Sequence, residues 1–128
     1  MKSLLQETQT IAVVGLSDKP NRPSYDVAQY MQSQGYKIIP INPNCQEILG
    51  ETCYPDLKSV PTPIDMVNVF RKAEDCWPVA KEAVEVGAKS LWLQLGISNQ
   101  EAADYAQQHG LKVVMNRCIK IDHMREML

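Results

Sequence analysis

The sequence lacks any apolar run long enough to cross a membrane. The longest candidate, Ile11–Val14, is far shorter than the roughly 20 apolar residues that a spanning helix requires. The first residues, Met1–Glu7, turn polar too early for the apolar region of a signal peptide. We therefore expect a cytoplasmic protein with no membrane partner.

Clustered cysteines and clustered positive charges are also absent. The four cysteines, Cys45, Cys53, Cys76 and Cys118, show neither C-x-x-C spacing nor the density of a disulfide-rich secreted domain. Lysines and arginines are scattered, and the formal net charge is -2. These absences argue against a zinc site and against nucleic acid as a partner, while they leave room for a local cationic pocket.

Recognisable catalytic motifs are missing as well. The sequence has no G-x-S-x-G element, no arrangement of Ser, His and Asp or glutamate pair that suggests a hydrolase, and no G-x-x-x-x-G-K phosphate loop. Of the two histidines, we expect His109 at an exposed helix end, and His123 lies in the carboxy-terminal tail. Neither is an obvious general base, so we expect no catalysis by the chain unaided.

What the sequence does contain is a regular alternation of short apolar segments with amphipathic helical patterns. The five predicted strands are Thr10–Gly15, Lys37–Ile41, Asp65–Phe70, Ser90–Leu95 and Leu111–Met115. Such alternation predicts an α/β fold with a five-stranded parallel sheet and helices on both faces, as in Rossmann-like domains. We predict the strand order 3-2-1-4-5 and a single domain over residues 1–128.

Local signals predict where several elements begin and end. Ser24 can cap the first helix, and Ser98 with Glu101 has the spacing of a capping box for a later one. Pro40 lacks a backbone donor, which suggests that regular pairing is ending there. We expect residues 44–63 to be irregular, with one short helical turn at 56–59.

Ligands of such folds bind beyond the carboxyl ends of the strands, and the first of these ends resembles a phosphate site. Gly15 is the only glycine in the loop, so it is not a dinucleotide fingerprint. The loop instead offers hydroxyls from Ser17 and Ser24, cations from Lys19 and Arg22, and a helix N-terminus. We interpret it as a phosphate-binding loop, and a solvated loop with a capping serine is the alternative.

The second strand ends in the neutral Asn42, where an NAD-binding domain normally carries an acidic residue for the ribose diol. A carboxylate there would repel a phosphorylated ribose. Its absence therefore disfavours plain NAD and permits coenzyme A or NADP. Taken alone, Asn42 can equally be a turn residue beside a proline.

The third and fourth strand ends carry further candidate ligand contacts. Phe70 could stack on adenine and Arg71 could neutralise phosphate, although Phe70 can also belong to the core and Arg71 to solvent. Gln94 is unusual inside an apolar strand unless its amide has a partner. Gly96 either lets a ligand lie against the backbone or simply makes a turn.

The fifth strand end combines Asn116, Arg117 and Cys118. Cys118 is the one cysteine expected near the crevice, where Arg117 and Lys120 would favour its thiolate. A buried, inert cysteine is the alternative interpretation.

Six segments carry a resemblance to a known family, and they are Ala12–Ser17, Arg22–Ser24, Pro40–Pro43, Asp65–Arg71, Leu91–Gly96 and Asn116–Cys118. In this order they resemble the small stand-alone CoA-binding proteins, which are similar to the amino-terminal CoA-binding domain of the succinyl-CoA synthetase α subunit. The resemblance extends from about Thr8 to His123.

The resemblance implies coenzyme A as the ligand, and it implies a set of contact residues at the five strand ends. These are Gly15, Ser17, Lys19, Arg22, Ser24, Asn42, Phe70, Arg71, Gln94, Gly96, Asn116 and Arg117. In the synthetases, catalysis needs a phosphorylated histidine in a second domain and a partner subunit. The resemblance therefore implies binding without ligase activity by this chain alone.

Three functional hypotheses follow. The first is a non-catalytic module that binds coenzyme A or an acyl-CoA. The second is a module that binds NADP or NAD, with a redox-sensing or oxidoreductase role. The third is a thiol-dependent accessory of CoA or acyl transfer that uses Cys118. The sequence leaves the oligomeric state open.

Overall fold

A computed structural model describes all residues from Met1 to Leu128. The helices are α1 (Lys2–Glu7), α2 (Pro23–Ser33), α3 (Cys76–Glu85), α4 (Gln100–Gln108) and α5 (Ile119–Met127). The strands are β1 (Thr10–Val14), β2 (Lys37–Ile41), β3 (Glu47–Ile48), β4 (Glu51–Thr52), β5 (Met66–Val69), β6 (Ser90–Leu93) and β7 (Lys112–Val114). None of the helices has the length and apolar character needed to span a bilayer.

The main sheet is parallel and has apolar residues on both faces. Its strands follow the order β2-β1-β5-β6-β7. Alternate residues of β1 face opposite sides, so Ala12 and Val14 join a core with α3 and α4, while Ile11 and Val13 join a second core with α1, α2 and α5. This arrangement confirms the predicted Rossmann-like fold class.

The predicted strand order 3-2-1-4-5 is wrong, because the third predicted strand, β5, pairs with β1 on the side opposite β2. Pro40 lies in β2 and cannot donate to a neighbour, which suits an edge strand and not an internal one. The Asp65 carboxylate, just before β5, accepts the backbone N–H groups of Gln9 and Thr10 at 2.9 and 3.1 Å. These bonds hold the start of β5 beside the start of β1.

Two predicted helix caps are also wrong. α2 begins one residue before Ser24, whose hydroxyl instead accepts the backbone N–H of Ser17 at 3.0 Å. α4 is capped by Asn99 and not by Ser98, since the Asn99 side chain accepts the N–H of Ala102 at 2.9 Å. At α4 the neighbouring Asn99 thus makes the capping bond, whereas at α2 the N-cap residue is Arg22, which makes no side-chain capping bond.

The connection from β2 to β5 is more regular than predicted. Residues 44–63 contain the short antiparallel pair β3-β4, which the sequence analysis missed. The short turn at Leu57–Ser59 is confirmed, with the Asp56 side chain accepting the Ser59 N–H at 2.9 Å. This segment covers the outer edge of β2, where Tyr54 donates its N–H to the Pro40 carbonyl at 3.0 Å.

Gly15 ends β1 at the point where β5 also leaves the sheet. Its φ is +86°, and an added Cβ would overlap the carbonyl oxygen of Phe70 and lie 3.5 Å from the Arg71 Nε atom. The Phe70 N–H in turn donates to the Val14 carbonyl at 2.8 Å. Only glycine allows both the positive φ and this close approach of two backbones.

The carboxy-terminal helix α5 is held by a buried histidine. The Nδ1 atom of His123 shares a hydrogen bond of 2.8 Å with the Tyr30 hydroxyl of α2, and the rings of Tyr30 and Tyr36 meet the imidazole edge to face. Burial lowers the pKa of His123 below its ordinary value of 6.5. The histidine is therefore held in its neutral form between α2 and α5.

Replacing Gly15 tests the close approach. Gly96 has a similar φ of +87°, but an added Cβ there meets nothing within 4 Å. Both G15A and G96A incur the cost of a side chain at positive φ, roughly 1–2 kcal/mol. We expect G15A to lower the free energy of unfolding in urea by more than G96A does, because only Gly15 faces a backbone oxygen. Equal losses in the two variants would show that the Phe70 contact is not tight.

Acid should weaken the fold through His123. Because its folded-state pKa is lowered, its contribution to stability is present above pH 6.5 and is lost as the pH falls through the folded-state value. We expect the free energy of unfolding to decrease between about pH 7.5 and pH 5, and to decrease less in H123Q. H109Q, which removes the exposed histidine, is the control: it should leave the pH dependence of the free energy of unfolding unchanged. Identical pH profiles of H123Q and the unsubstituted protein would contradict this account.

Candidate functional site

A cleft of about 560 Å³ opens beyond the carboxyl ends of β1, β2 and β5. We call it the nucleotide cleft, because the sequence predicts a nucleotide ligand at these strand ends. Its lining residues are Gly15, Leu16, Ser17, Arg22, Pro23, Ser24, Asn42, Pro43, Asn44, Phe70, Arg71 and Ile97. β1 lies between β2 and β5: the chain first crosses from β1 to β2 on one side, and it then returns past β1 to β5 on the other side. Ligands of open α/β sheets bind at such a switch point.

The nucleotide cleft is cationic. Arg22 enters it from the loop after β1, and Arg71 enters it from the end of β5, where its Nε lies over Gly15. Neither arginine forms an ion pair with an acidic side chain. The lining contains no aspartate or glutamate. Two free guanidinium groups therefore face one open space without a carboxylate to neutralise them.

The loop after β1 is ordered by its own side-chain oxygens. The Ser24 hydroxyl accepts the Ser17 N–H at 3.0 Å, and the Ser17 hydroxyl accepts the Lys19 N–H at 3.1 Å. Both hydroxyls act as acceptors in these bonds, so each keeps a proton that it can donate to a ligand. The loop ends at the N-terminus of α2, where the helix dipole favours anions. Pro23 has no N–H, and the N–H groups of Tyr25 and Asp26 already bond to the Arg22 carbonyl, so side chains supply most of the donors here.

The Asn42 side chain shapes the nucleotide cleft by bonding to the protein itself. Its Nδ2 donates to the Leu16 carbonyl at 2.9 Å, and its Oδ1 accepts the Asn44 N–H at 2.8 Å. An aspartate could not make the first of these bonds at neutral pH. The structure thus explains an amide at the strand end where NAD-binding domains carry a carboxylate.

Phe70 forms the wall opposite the loop. It is half-buried, packs against the core that α2 shares, and lines the nucleotide cleft. One face of the ring thus contacts the core and another borders the cleft, and stacking on adenine stays a prediction. A ring held in this way offers a flat apolar surface to a planar base.

Two of the predicted contact residues, Lys19 and Gln94, do not line the nucleotide cleft. Lys19 is exposed and is not part of the lining. Gln94 is buried, and its Oε1 accepts the Asn68 side chain at 3.3 Å and the backbone N–H of Ile119 at 3.4 Å. Gln94 thereby links the centre of the sheet to the start of α5. Asn68 and Ile119 are the hydrogen-bond partners that a buried amide at this position was expected to have.

Gly96, Asn116 and Arg117 also lie outside the nucleotide cleft. The Gly96 N–H donates to Asn116 Oδ1 at 2.7 Å. Arg117 binds the buried Asp122 carboxylate with two hydrogen bonds of 2.7 Å, and this bond raises the pKa of Arg117 above its ordinary value. Asn116, Arg117 and Cys118 instead border a smaller groove of about 260 Å³ beyond β6 and β7. Their role as ligand contacts stays a prediction.

Several residues that line the nucleotide cleft are not among the predicted contacts. Ile97 and Asn44 both line the nucleotide cleft, each one or two residues beyond a predicted contact. The signal that could have found them is position, because the residues that follow a strand end continue along the same edge of the sheet.

Comparisons with known proteins agree with this geometry. A family model described as "CoA binding domain" matches residues 9–124. The chain is similar to the "Uncharacterized protein YneT" of Bacillus subtilis, with 46% identity over 96% of this chain and 91% of that protein. The solved structure of a hypothetical protein from Pyrococcus horikoshii OT3 has a TM-score of 0.96 at 35% identity, and the match covers 99% of this chain and 89% of that one.

A longer relative matches through one part of its length. "Acetate--CoA ligase [ADP-forming] II" of Archaeoglobus fulgidus is 27% identical over 82% of this chain but only 17% of the ligase. Since the family model matches residues 9–124, almost the whole sequence, this chain belongs to the family of CoA binding domains.

Proposed function

We propose that this protein binds coenzyme A, free or as an acyl thioester, in the nucleotide cleft and that it acts as a binding module. The observation that carries the proposal is the pair Arg22 and Arg71, which face one cleft at a helix N-terminus with no acidic residue in its lining. Coenzyme A carries a diphosphate and a ribose phosphate. These negative groups can pair with the two arginines, which have no acidic partner in the protein.

The proposed contacts follow from the position of each group. Arg22, the Ser17 and Ser24 hydroxyls and the N-terminus of α2 hold one phosphate group. Arg71 enters from the opposite side and holds a second. The Phe70 ring provides the apolar wall on which adenine stacks.

Two features favour coenzyme A over a nicotinamide dinucleotide. Gly15 is the only glycine of the loop, and its open side is filled by the Phe70 carbonyl, so the backbone does not offer the close diphosphate approach of a G-x-G-x-x-G turn. Asn42 uses its amide to hold Leu16, and it leaves no carboxylate for a free ribose diol. NADP, which carries a ribose phosphate, is the competitor that an experiment must separate.

The lining supports binding more than catalysis. The nucleotide cleft contains no histidine, cysteine, lysine or acidic side chain that could act as nucleophile or general base. Cys118 borders the smaller groove and not the cleft, so the thiol-dependent alternative has no support in the cleft. The proposal therefore assigns no reaction to the chain unaided.

Titration calorimetry with coenzyme A and NADPH tests the proposal. We expect coenzyme A to saturate below millimolar concentration and NADPH to bind more weakly. R22A and R71A should each weaken coenzyme A binding by about tenfold or more, because a charged hydrogen bond contributes roughly 1.5–3 kcal/mol. K58A removes one exposed lysine far from the cleft and should leave the affinity unchanged. No saturation at millimolar coenzyme A, or tighter binding of NADPH, would contradict the proposal.

A further inference from the structure

The groove beyond β6 and β7 has exposed apolar walls. We call it the distal groove, and its walls include Leu95, which is 61% exposed, and Ile121 of α5, which is 48% exposed. Both are large aliphatic side chains that face the same space of about 260 Å³. Exposed apolar side chains that converge on one concave surface are typical of a binding site, whereas single ones are common anywhere.

Two arginines and one aspartate carry the charge of the distal groove. Arg117 holds both oxygens of the buried Asp122 carboxylate at 2.7 Å, and Arg125 approaches the same carboxylate at 3.5 Å. The bidentate pairing fixes the Arg117 guanidinium against α5. One positive charge is left in excess over the carboxylate, and the exposed side chains of Leu95 and Ile121 have no partner in the protein.

The distal groove and the nucleotide cleft both border the loop that follows β6. Ile97 lines the cleft and Leu95 lines the groove, and along the chain only Gly96 lies between them. The space beside Gly96 is open, since an added Cβ would meet nothing within 4 Å. Asn116 holds this ridge by donating its N–H to the Ile97 carbonyl at 3.1 Å and accepting the Gly96 N–H at 2.7 Å. The open space beside Gly96 offers a flexible arm a path from the cleft towards the groove.

We infer that the distal groove binds the apolar acyl chain of a CoA thioester whose nucleotide lies in the nucleotide cleft. The inference rests on the proposed function, because the cleft must hold the nucleotide for the arm to reach Leu95 and Ile121. It names the ligand class as thioesters of uncharged aliphatic acids. An acyl chain buries the apolar walls that are otherwise exposed to water, and longer chains bury more of them.

A chain-length series measures this burial. The probes are adenosine 3′,5′-bisphosphate, coenzyme A, butanoyl-CoA and hexanoyl-CoA, each titrated calorimetrically below its micelle concentration. Each buried methylene should raise the affinity by about two- to fourfold, so hexanoyl-CoA should bind at least about fourfold more tightly than butanoyl-CoA. Adenosine 3′,5′-bisphosphate does not reach the groove and serves as the reference for the cleft.

Substitutions at the walls assign the gain to the distal groove. L95S and I121S should remove most of the difference between hexanoyl-CoA and butanoyl-CoA. M124S is the matched control, because Met124 is 47% exposed on the same helix but does not line the groove. It should keep the full difference.

A second readout uses the thiol of the groove. Cys118 is half-buried at the start of α5 and borders the groove. Alkylation of Cys118 by iodoacetamide, followed by peptide mass spectrometry, should be slowed more by hexanoyl-CoA than by saturating adenosine 3′,5′-bisphosphate. Equal protection by the two ligands would count against the inference.

The outcomes separate the two proposals. If neither adenosine 3′,5′-bisphosphate nor coenzyme A saturates, the proposed function fails and the inference fails with it. If both bind but hexanoyl-CoA gains nothing over butanoyl-CoA, or the gain survives in L95S and I121S, only the inference is overturned. A thioester of a four-carbon dicarboxylic acid that binds more tightly than butanoyl-CoA would overturn it too, because the groove would then recognise charge.

Discussion

The approach of the Phe70 carbonyl to Gly15 sets the distance between the two walls of the nucleotide cleft. The loop after β1 forms one wall and the end of β5 forms the other, and both strands leave the sheet at this contact. Arg71 follows Phe70 directly, so the contact also places its guanidinium over the loop that carries Arg22. The cationic character of the cleft thus depends on a backbone position where no side chain larger than hydrogen fits.

The pairing of β5 with β1 makes this contact possible, and it was the part of the fold that the sequence analysis predicted wrongly. In the order 3-2-1-4-5, β2 would separate the third strand from β1 and would keep Arg71 away from the loop. The strands themselves were predictable from their apolar runs. Their order is visible only in long-range contacts, such as the pairing of β5 with β1 and the bonds from Asp65 to Gln9 and Thr10, and such contacts leave no local pattern in the sequence. Pro40 did carry an edge-strand signal.

Part of the candidate site was predictable because strand ends share one edge of a parallel sheet. That rule found Arg22, Asn42 and Arg71, which do line one cleft. It could not tell which polar side chains already have partners in the protein. Gln94 sits at a strand end as well, but its amide is used to anchor α5, and Arg117 is bound by Asp122. A polar side chain at a strand end either forms hydrogen bonds within the protein or is free to bind a ligand. Only its neighbours in the folded structure show which of the two applies.

Family membership and the cleft geometry support the same conclusion, that an anionic nucleotide binds where β1 gives way to α2. Amide chemical-shift mapping of the labelled protein tests this claim most directly. On addition of coenzyme A, we predict the largest shifts in residues 15–25 and at Phe70 and Arg71. Shifts confined to the opposite edge of the sheet, where a second cleft is lined by Asp65 and Lys89, or no shifts at saturating ligand, would contradict the account.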